Sequence, residues 1–345
     1  MPLPALGTID RGLRRLDRRA MVRRATMKRQ RSAELLSTIG LLPDPVPLTA
    51  AGGLDEAPVV FRVPGNGAER IIKVAWEGPV ARRIVREHAV LRGLERSLPA
   101  DLLPLVSRPI GMGRAGGAVY TIQSALAGVS IRVRRDDPQV VEQAMMSAAR
   151  TVATLHAATD GDDRADAAWL AAEVERPLRI VSFLVRQSLG RSPDSGALRR
   201  IAEMQRSAWS NRQRRSALTH GDLWLDNVLL GPDAGTAGII DWESARCGPP
   251  MVDALHLVLS SRRARQRRQL GEAVADALQH PGWSVAEAVV LERMAPEVDW
   301  TGADATPALI LYWLAQTRAN HHRRPALTAR PSWAIPNLLP VLRWG

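Results

Sequence analysis

The chain has 345 residues, 46% of them hydrophobic, enough to bury a sizeable core in one large domain or two lobes. Its longest apolar run, Pro307–Ala315, is far shorter than the roughly 18–20 residues of a membrane span, so no transmembrane segment is expected. No secretory signal is legible near the N-terminus, and the single cysteine, Cys247, excludes an internal disulfide framework and any multi-cysteine metal site; a cytoplasmic protein is the expectation.

The net charge of +12 would point to a nucleic-acid or membrane partner if it were spread over the molecule. It is not. Residues 1–40 hold ten Arg/Lys against Asp10, Asp17 and Glu34, a balance of +7, which leaves +5 for the other 305 residues. This segment reads as a basic N-terminal arm. From Asp10 to about Ile39 it can be drawn as an amphipathic helix on Leu13, Leu16, Val22 and Leu35, suited to a membrane surface or nucleic acid; the alternative is a solvated or disordered extension. Of the 47 basic residues only Lys28 and Lys73 are lysines, so Lys73 is the one lysine beyond the arm.

After a Pro-containing connector, Leu41–Pro47, the pattern becomes strand-like. "VVFRV" (Val59–Val63), the turn "PGNG" (Pro64–Gly67) and "ERIIKVAW" (Glu69–Trp76) predict a hairpin. Pro79 suits a first helical turn, and Val80–Leu98 has helical periodicity. A second hairpin is predicted across Ser107–Gly113 and Ala118–Ser124. From Pro138 onward the pattern is mostly helical, broken near Leu218–Trp242 by a loop and a small hairpin. The expected architecture is a small β-rich lobe over 41–127 and a larger, mainly helical lobe over 128–345, joined near Ser124–Gly128.

On the strand around Lys73, alternation puts Ile71, Lys73 and Ala75 on one face. The helix that follows carries an apolar stripe of Ile84, Leu91, Leu94 and Leu98, and Glu87 lies on that stripe. A buried carboxylate is costly unless paired, so a Lys73–Glu87 ion pair is expected, holding the ammonium ready for phosphate oxygens. The alternative is a lysine reaching solvent at the strand end, with Glu87 at the edge of the stripe.

The densest chemistry lies in "LTHGDLWLDNVLL" (Leu218–Leu230) and "AGIIDWE" (Ala237–Glu243). Val228–Leu230 and Gly238–Ile240 are β-prone runs joined by "GPDAGT". With Leu230 opposite Gly238, Asn227 falls opposite Asp241. An amide oxygen and a carboxylate at one end of a hairpin suit Mg²⁺, which takes its remaining ligands from water and phosphate. Asp222, five residues earlier, could be aimed at the same place as a proton acceptor.

The order H-G-D-x-x-x-x-N over His220–Asn227, the D-W-E at Asp241–Glu243 and "GPPMVD" at Gly248–Asp253 together resemble the aminoglycoside phosphotransferase / choline kinase family. With Lys73, Glu87 and "IQSALAG" (Ile122–Gly128), the resemblance spans roughly residues 46–260. It implies an α+β, protein-kinase-like two-lobed fold and phosphoryl transfer from ATP, or GTP in its place, to a hydroxyl of a small-molecule acceptor. It further implies Asp222 as catalytic base, Asn227 and Asp241 as Mg²⁺ ligands, and Lys73, held by Glu87, on the nucleotide phosphates. By the same resemblance the backbone at Ser124 and Leu126 would meet adenine, and His220 would fix the catalytic loop. Asp253 would cap a helix or anchor that loop. Trp224 and Trp242 would either line the acceptor site or pack.

The chain departs from the family pattern in places. The nucleotide-covering loop should fall near "AAGGLDEA" (Ala50–Ala57), which is not a G-x-G-x-x-G. No long activation segment follows Asp241, which argues against a protein kinase and for a small acceptor. Further on, Glu292, Glu297, Asp299 and Asp304 fall near Trp300, Tyr312 and Trp313, a set suited to a cationic acceptor or to a solvated acidic loop. Arg212–Arg215 and Arg262–Arg268 would suit an acidic acceptor or form exposed faces. A non-catalytic nucleotide-binding regulator of the same fold is the alternative function; its usual mark is loss of the lysine, the base or a metal ligand, and all four residues are present.

Overall fold

The computed structural model describes residues 23–41, 46–47, 57–64, 68–76, 78–131, 137–233 and 235–344. The chain forms two compact units. One contains the chain up to Glu95 together with Ser107–Ala125; the other contains Arg96–Val106 and Leu126–Gly345. The Arg96–Val106 excursion belongs to the second unit because Val106 forms a parallel bridge with Ile239 there.

The first unit is a five-stranded sheet with helices on it. In chain order it runs α1 (residues 23–38), β1 (Val46–Pro47), β2 (Val59–Val63), β3 (Arg70–Ala75), α2 (Gly78–Ser97), β4 (Pro109–Ala115) and β5 (Ala118–Ser124). All pairings are antiparallel, in the order β1-β2-β3-β5-β4. Both faces of β3 are used. Ile72 and Val74 pack with Phe61, Val59 and Ile122 against Leu36 of α1, while Ala75 packs with Val119 against Val80 and Ile84 of α2. Leu36 is fully buried, Ser32 accepts a hydrogen bond from Trp76 Nε1 at 2.9 Å, and the Arg31 guanidinium lies 3.8 Å from the Trp76 ring. The basic helix expected up to Ile39 therefore contributes core residues to this unit from 23 onward. Leu13, Leu16 and Val22 lie outside the described residues.

The second unit is mainly helical. It begins with β6 (Val129–Ser130), α3 (Pro138–Ala158), β7 (Gly161–Arg164), α4 (Ala167–Leu170), α5 (Arg176–Leu189), α6 (Ser195–Trp209) and β8 (Gln213–Thr219). After a 3₁₀ turn at Leu225–Asn227 come β9 (Val228–Leu230), β10 (Thr236–Ile239), β11 (Arg246–Gly248) and α7 (Met251–Gln266). It ends with α8 (Leu270–Gln279), α9 (Val285–Met294), α10 (Ala305–Arg323), α11 (Pro325–Thr328) and α12 (Pro331–Trp344). The strands form two small sheets, β10-β9-β6 and β11-β8-β7.

Local signals set the helix ends. Asp137 caps α3 by accepting from the amides of Gln139 and Val140, and Asp194 caps α6. Gly190, with φ of 64°, ends α5 in the left-handed conformation. Two helices run through the middle of the core. Residues Met251–Leu259 of α7 and Pro307–Thr317 of α10 are buried on every side. The long apolar run of the sequence is thus a core helix, and among the described residues no helix is long and apolar enough to cross a membrane.

Candidate active site

In the first unit, alternation along β3 turns Lys73 to the face covered by α2, and the stripe of α2 presents Glu87 to it. The ammonium lies 2.9 Å from Oε1 and 2.7 Å from Oε2 of Glu87, with the side chains 7% and 1% exposed. The expected pair is present, and it is buried. Both carboxylate oxygens are directed to one ammonium, which fixes the lysine's height above the strand.

At the end of β5, the Ser124 amide donates to Arg108 O at 2.9 Å, and the Ser124 hydroxyl accepts from the Arg108 amide at 2.8 Å. The amide of Ser124 is therefore committed to the sheet. In the second unit the Leu126 side chain covers Gly238 so closely that a Cβ there would lie 2.6 Å from Leu126 Cδ1. The nucleotide-covering loop expected near Ala50–Ala57 lies outside the described residues, apart from Ala57.

The loop after β8 carries Asp222, and its geometry is set from below by Asp253 on α7. Fully buried, Asp253 accepts from the His220 amide at 2.6 Å and the Gly221 amide at 2.8 Å, and lies 3.1 Å from His156 Nε2. Burial alone would raise this carboxyl; the hydrogen bond and charge of His156, together with His220 and the Gly221 amide, outweigh it and hold it below its usual range. His220 Nδ1 accepts from the Asp222 amide at 3.3 Å, so Nε2 carries the proton and donates to Ile240 O at 2.8 Å. Gly221 has φ of 76°, and a Cβ there would lie 2.6 Å from Ser244 O. Only glycine fits that turn.

Asn227 Nδ2 donates to the Asp222 carbonyl at 2.9 Å, which ties the end of the loop to its beginning. The hairpin register differs by one from the expected one. Leu230 faces Thr236, a bulge follows, and Gly238 faces Leu229. The Asn227 backbone carbonyl consequently accepts from the Ile240 amide at 3.0 Å, and Asp241 lies one position further, in a left-handed conformation with φ of 65°. The bulge adds a residue to the β10 side that a count across the turn cannot reveal.

With its Nδ2 occupied, the remaining polar atom of the Asn227 side chain is its oxygen, and Asp241 adds a carboxylate. Among the described residues no group of three or more His, Cys, Asp or Glu could hold a metal. An amide and a carboxylate fit a hard cation that takes its other ligands from water and phosphate.

Three residues at Asp222 carry no sequence signal. Arg323, at the end of α10, donates to Asp222 Oδ2 at 2.5 Å. His256 Nε2 lies 3.4 Å from Oδ1, and its Nδ1 is 3.0 Å from the Tyr312 hydroxyl. Burial would raise the Asp222 carboxyl, but the hydrogen bond with His256 and the charge of Arg323 hold it well below the carboxylate range. Gln316, two turns before Arg323 on α10, donates to Gly221 O at 3.2 Å.

Several residues that the sequence leaves open between two readings are packed or paired. Trp242 is buried and donates to Ile239 O, so it packs; Trp224 is 37% exposed. Tyr312 and Trp313 are fully buried and Trp300 nearly so, while Asp304 is held by Arg212 through two hydrogen bonds of 2.6 and 2.8 Å. Within that acidic set Asp304 is thus a paired acid beside buried rings. Arg215, Arg262 and Arg268 are similarly paired, with Asp160, Glu287 and Asp276.

The comparisons agree with this fold. A family model described as the phosphotransferase enzyme family matches residues 48–289. No curated protein matches the chain. Among solved structures, aminoglycoside-3'-phosphotransferase of type VIII is 20% identical, covering 83% of this chain and 98% of its own, with a TM-score of 0.50. A thermostable mutant of aminoglycoside phosphotransferase APH(4)-Ia, solved in ternary complex with ADP and hygromycin B, is 16% identical, covering 90% and 97%, with a TM-score of 0.52. The gentamicin complex of APH(2")-IIa is 13% identical, covering 88% and 93%, also at 0.52. These likenesses establish a protein-kinase-like fold, and with the family match over most of its length the chain belongs to the phosphotransferase enzyme family.

Proposed function

We propose that the protein transfers the γ-phosphoryl group of ATP, or of GTP in its place, to a hydroxyl of a small-molecule acceptor, with Asp222 as the base. The observation that carries this reading is the Asn227–Asp222 hydrogen bond, which fixes the base loop against the candidate metal ligand. The acceptor oxygen forms a bond to the γ-phosphorus as the bond to the bridging oxygen breaks. The nucleoside diphosphate leaves with that electron pair, and the hydroxyl proton passes to the Asp222 carboxylate. A strongly acidic Asp222 suits this role, because a loose transition state asks for orientation of the hydroxyl more than for a strong base. Lys73, set by Glu87, would hold phosphate oxygens; the Ser124 carbonyl and the Leu126 amide would meet the two edges of adenine. Mg²⁺, held by Asn227 and Asp241, would neutralise phosphate charge.

A second reading, a nucleotide-binding regulator without turnover, draws on Arg323, which occupies an oxygen of Asp222. Thermal unfolding with ATP or GTP, with and without Mg²⁺, tests the site. We expect a Mg²⁺-dependent rise in Tm in the wild type that Asp241→Ala loses. No rise in the wild type would remove the nucleotide site and both readings with it; a rise without turnover on any acceptor would leave the regulator.

A further inference from the structure

Two buried helices of the second unit turn polar side chains toward the loop that carries Asp222. Within Met251–Leu259 of α7 the polar side chains are Asp253 and His256, at i and i+3. On α10, which packs against α7, Tyr312 and Gln316 lie at i and i+4. These spacings put each pair on one face of its helix. Asp253 accepts from the His220 and Gly221 amides and Gln316 donates to Gly221 O, so the loop backbone is gripped from both helices. His256 and Tyr312 lead instead to the Asp222 side chain. The Tyr312 hydroxyl lies 3.0 Å from His256 Nδ1, and His256 Nε2 lies 3.4 Å from Asp222 Oδ1.

The hydrogens along this chain follow from burial. The Tyr312 hydroxyl is fully buried, and burial pushes it up, so it keeps its proton. Among the described residues its acceptor is His256 Nδ1. A hydroxyl donating there leaves the imidazole hydrogen on Nε2, facing the carboxylate. The reverse order would turn a ring lone pair to Asp222 and strand the phenol hydrogen in the interior. Asp222 thus has two anchors of different kinds. The Arg323 side chain, at the end of α10, is 17% exposed, whereas that of His256, in the body of α7, is 7% exposed. The more sealed anchor is the one that sets the rotation of the carboxylate.

We propose that His256 is a positioning residue for phosphoryl transfer, held by Tyr312 and orienting Asp222 through Nε2–H toward the acceptor hydroxyl. The hydroxyl proton still passes to Asp222, and His256 neither gains nor loses one. Without His256 the carboxylate keeps its charge but samples rotations that do not face the hydroxyl, so the loss falls on turnover and not on binding. This inference rests on the phosphotransferase reading and deepens it.

The test uses the full chain with ATP and Mg²⁺, water and glycerol serving as probe acceptors, in the wild type, His256→Leu and His256→Gln. Leucine fills space and donates nothing, whereas the glutamine amide reaches about as far as Nε2 and can donate. We expect His256→Leu to lower kcat about tenfold or more with KM for ATP unchanged, and His256→Gln to recover most of that loss. Nitrogen-15 spectra of histidine-labelled protein, where the His256 signals are those missing from His256→Gln, should show the hydrogen on Nε2. Tyr312→Phe should then shift the Nδ1 signal. Equal kcat in wild type and His256→Leu would overturn the proposal. Equal losses in the leucine and glutamine variants would also overturn it, since packing alone would explain them. A hydrogen on Nδ1, alone or together with one on Nε2, would do the same. Hydrogen on Nε2 with no transfer by the wild type to either probe would overturn the phosphotransferase reading, and with it the role of His256, while leaving its placement intact.

Discussion

The two units each hold a carboxylate against a cation, and the pairs are built differently. Lys73 and Glu87 lie on a strand and on the helix that follows it, both nearly sealed from solvent, with both carboxylate oxygens on one ammonium. Asp222 and Arg323 are 101 residues apart, about a fifth exposed, and the second Asp222 oxygen faces His256 instead. The first pair has nowhere to go, since breaking it strands a charge in a dry interior. The second is partly open to solvent, which can hydrate the guanidinium if the contact breaks. One pair sets a position and the other keeps a group in reserve.

Removing each acid should therefore fail in a different way. Asp222→Ala should lower phosphoryl transfer about 10²–10⁴-fold while nucleotide affinity stays near wild type. Turnover within a few-fold of wild type would displace Asp222 from the base role. Glu87→Ala should cost about 3–5 kcal/mol of unfolding free energy in urea, and converting both partners, Lys73→Met with Glu87→Leu, should restore most of it while abolishing nucleotide binding. If the double variant were no more stable than the single one, the cost would lie in packing and not in the stranded ammonium. Asp253→Ala leaves two backbone amides unsatisfied in the interior, at about 1–3 kcal/mol each, and should lower transfer as well, since the loop loses its floor. Unchanged stability there would show that water replaces the carboxylate.

The smallest effect concerns pH. Asp222 is held below its ordinary value in the fold, so as pH falls the unfolded chain takes up the proton first. The stability this group contributes is present above about pH 4 and is lost progressively below it. Arg323→Gln raises the folded value, so unfolding midpoints in metal-free buffer should show a shallower acid limb and a loss on the order of 1 kcal/mol at neutral pH. An identical acid limb would assign the depression to His256 alone.

Much of this was legible because its signals are short-range. Alternation along one strand and the stripe of the next helix were enough to pair Lys73 with Glu87, and spacing within one loop was enough to group Asp222 with Asn227. The bulge beside Ala237 was not legible, since a turn length does not say which strand carries the extra residue. Nor was Arg323, whose meeting with Asp222 depends on how α10 crosses the core. The pairing of Asp304 was hidden for the same reason, because its partner Arg212 lies 92 residues away. The basic helix α1 looked like an appendage by charge, yet Leu36, with Ala33 and Leu35 beside it, commits it to the sheet.

The scarcity of lysine has a practical consequence. With Lys28 and Lys73 as the whole lysine complement, an amine-acylating reagent meets only those two side chains and the terminal amine. Lys28 donates to the Ala57 carbonyl on a partly open surface, whereas Lys73 is sealed behind Glu87. Peptide-resolved acylation of Lys73 would thus keep time on the opening of the strand–helix contact, a reporter that the chain carries without any engineered label.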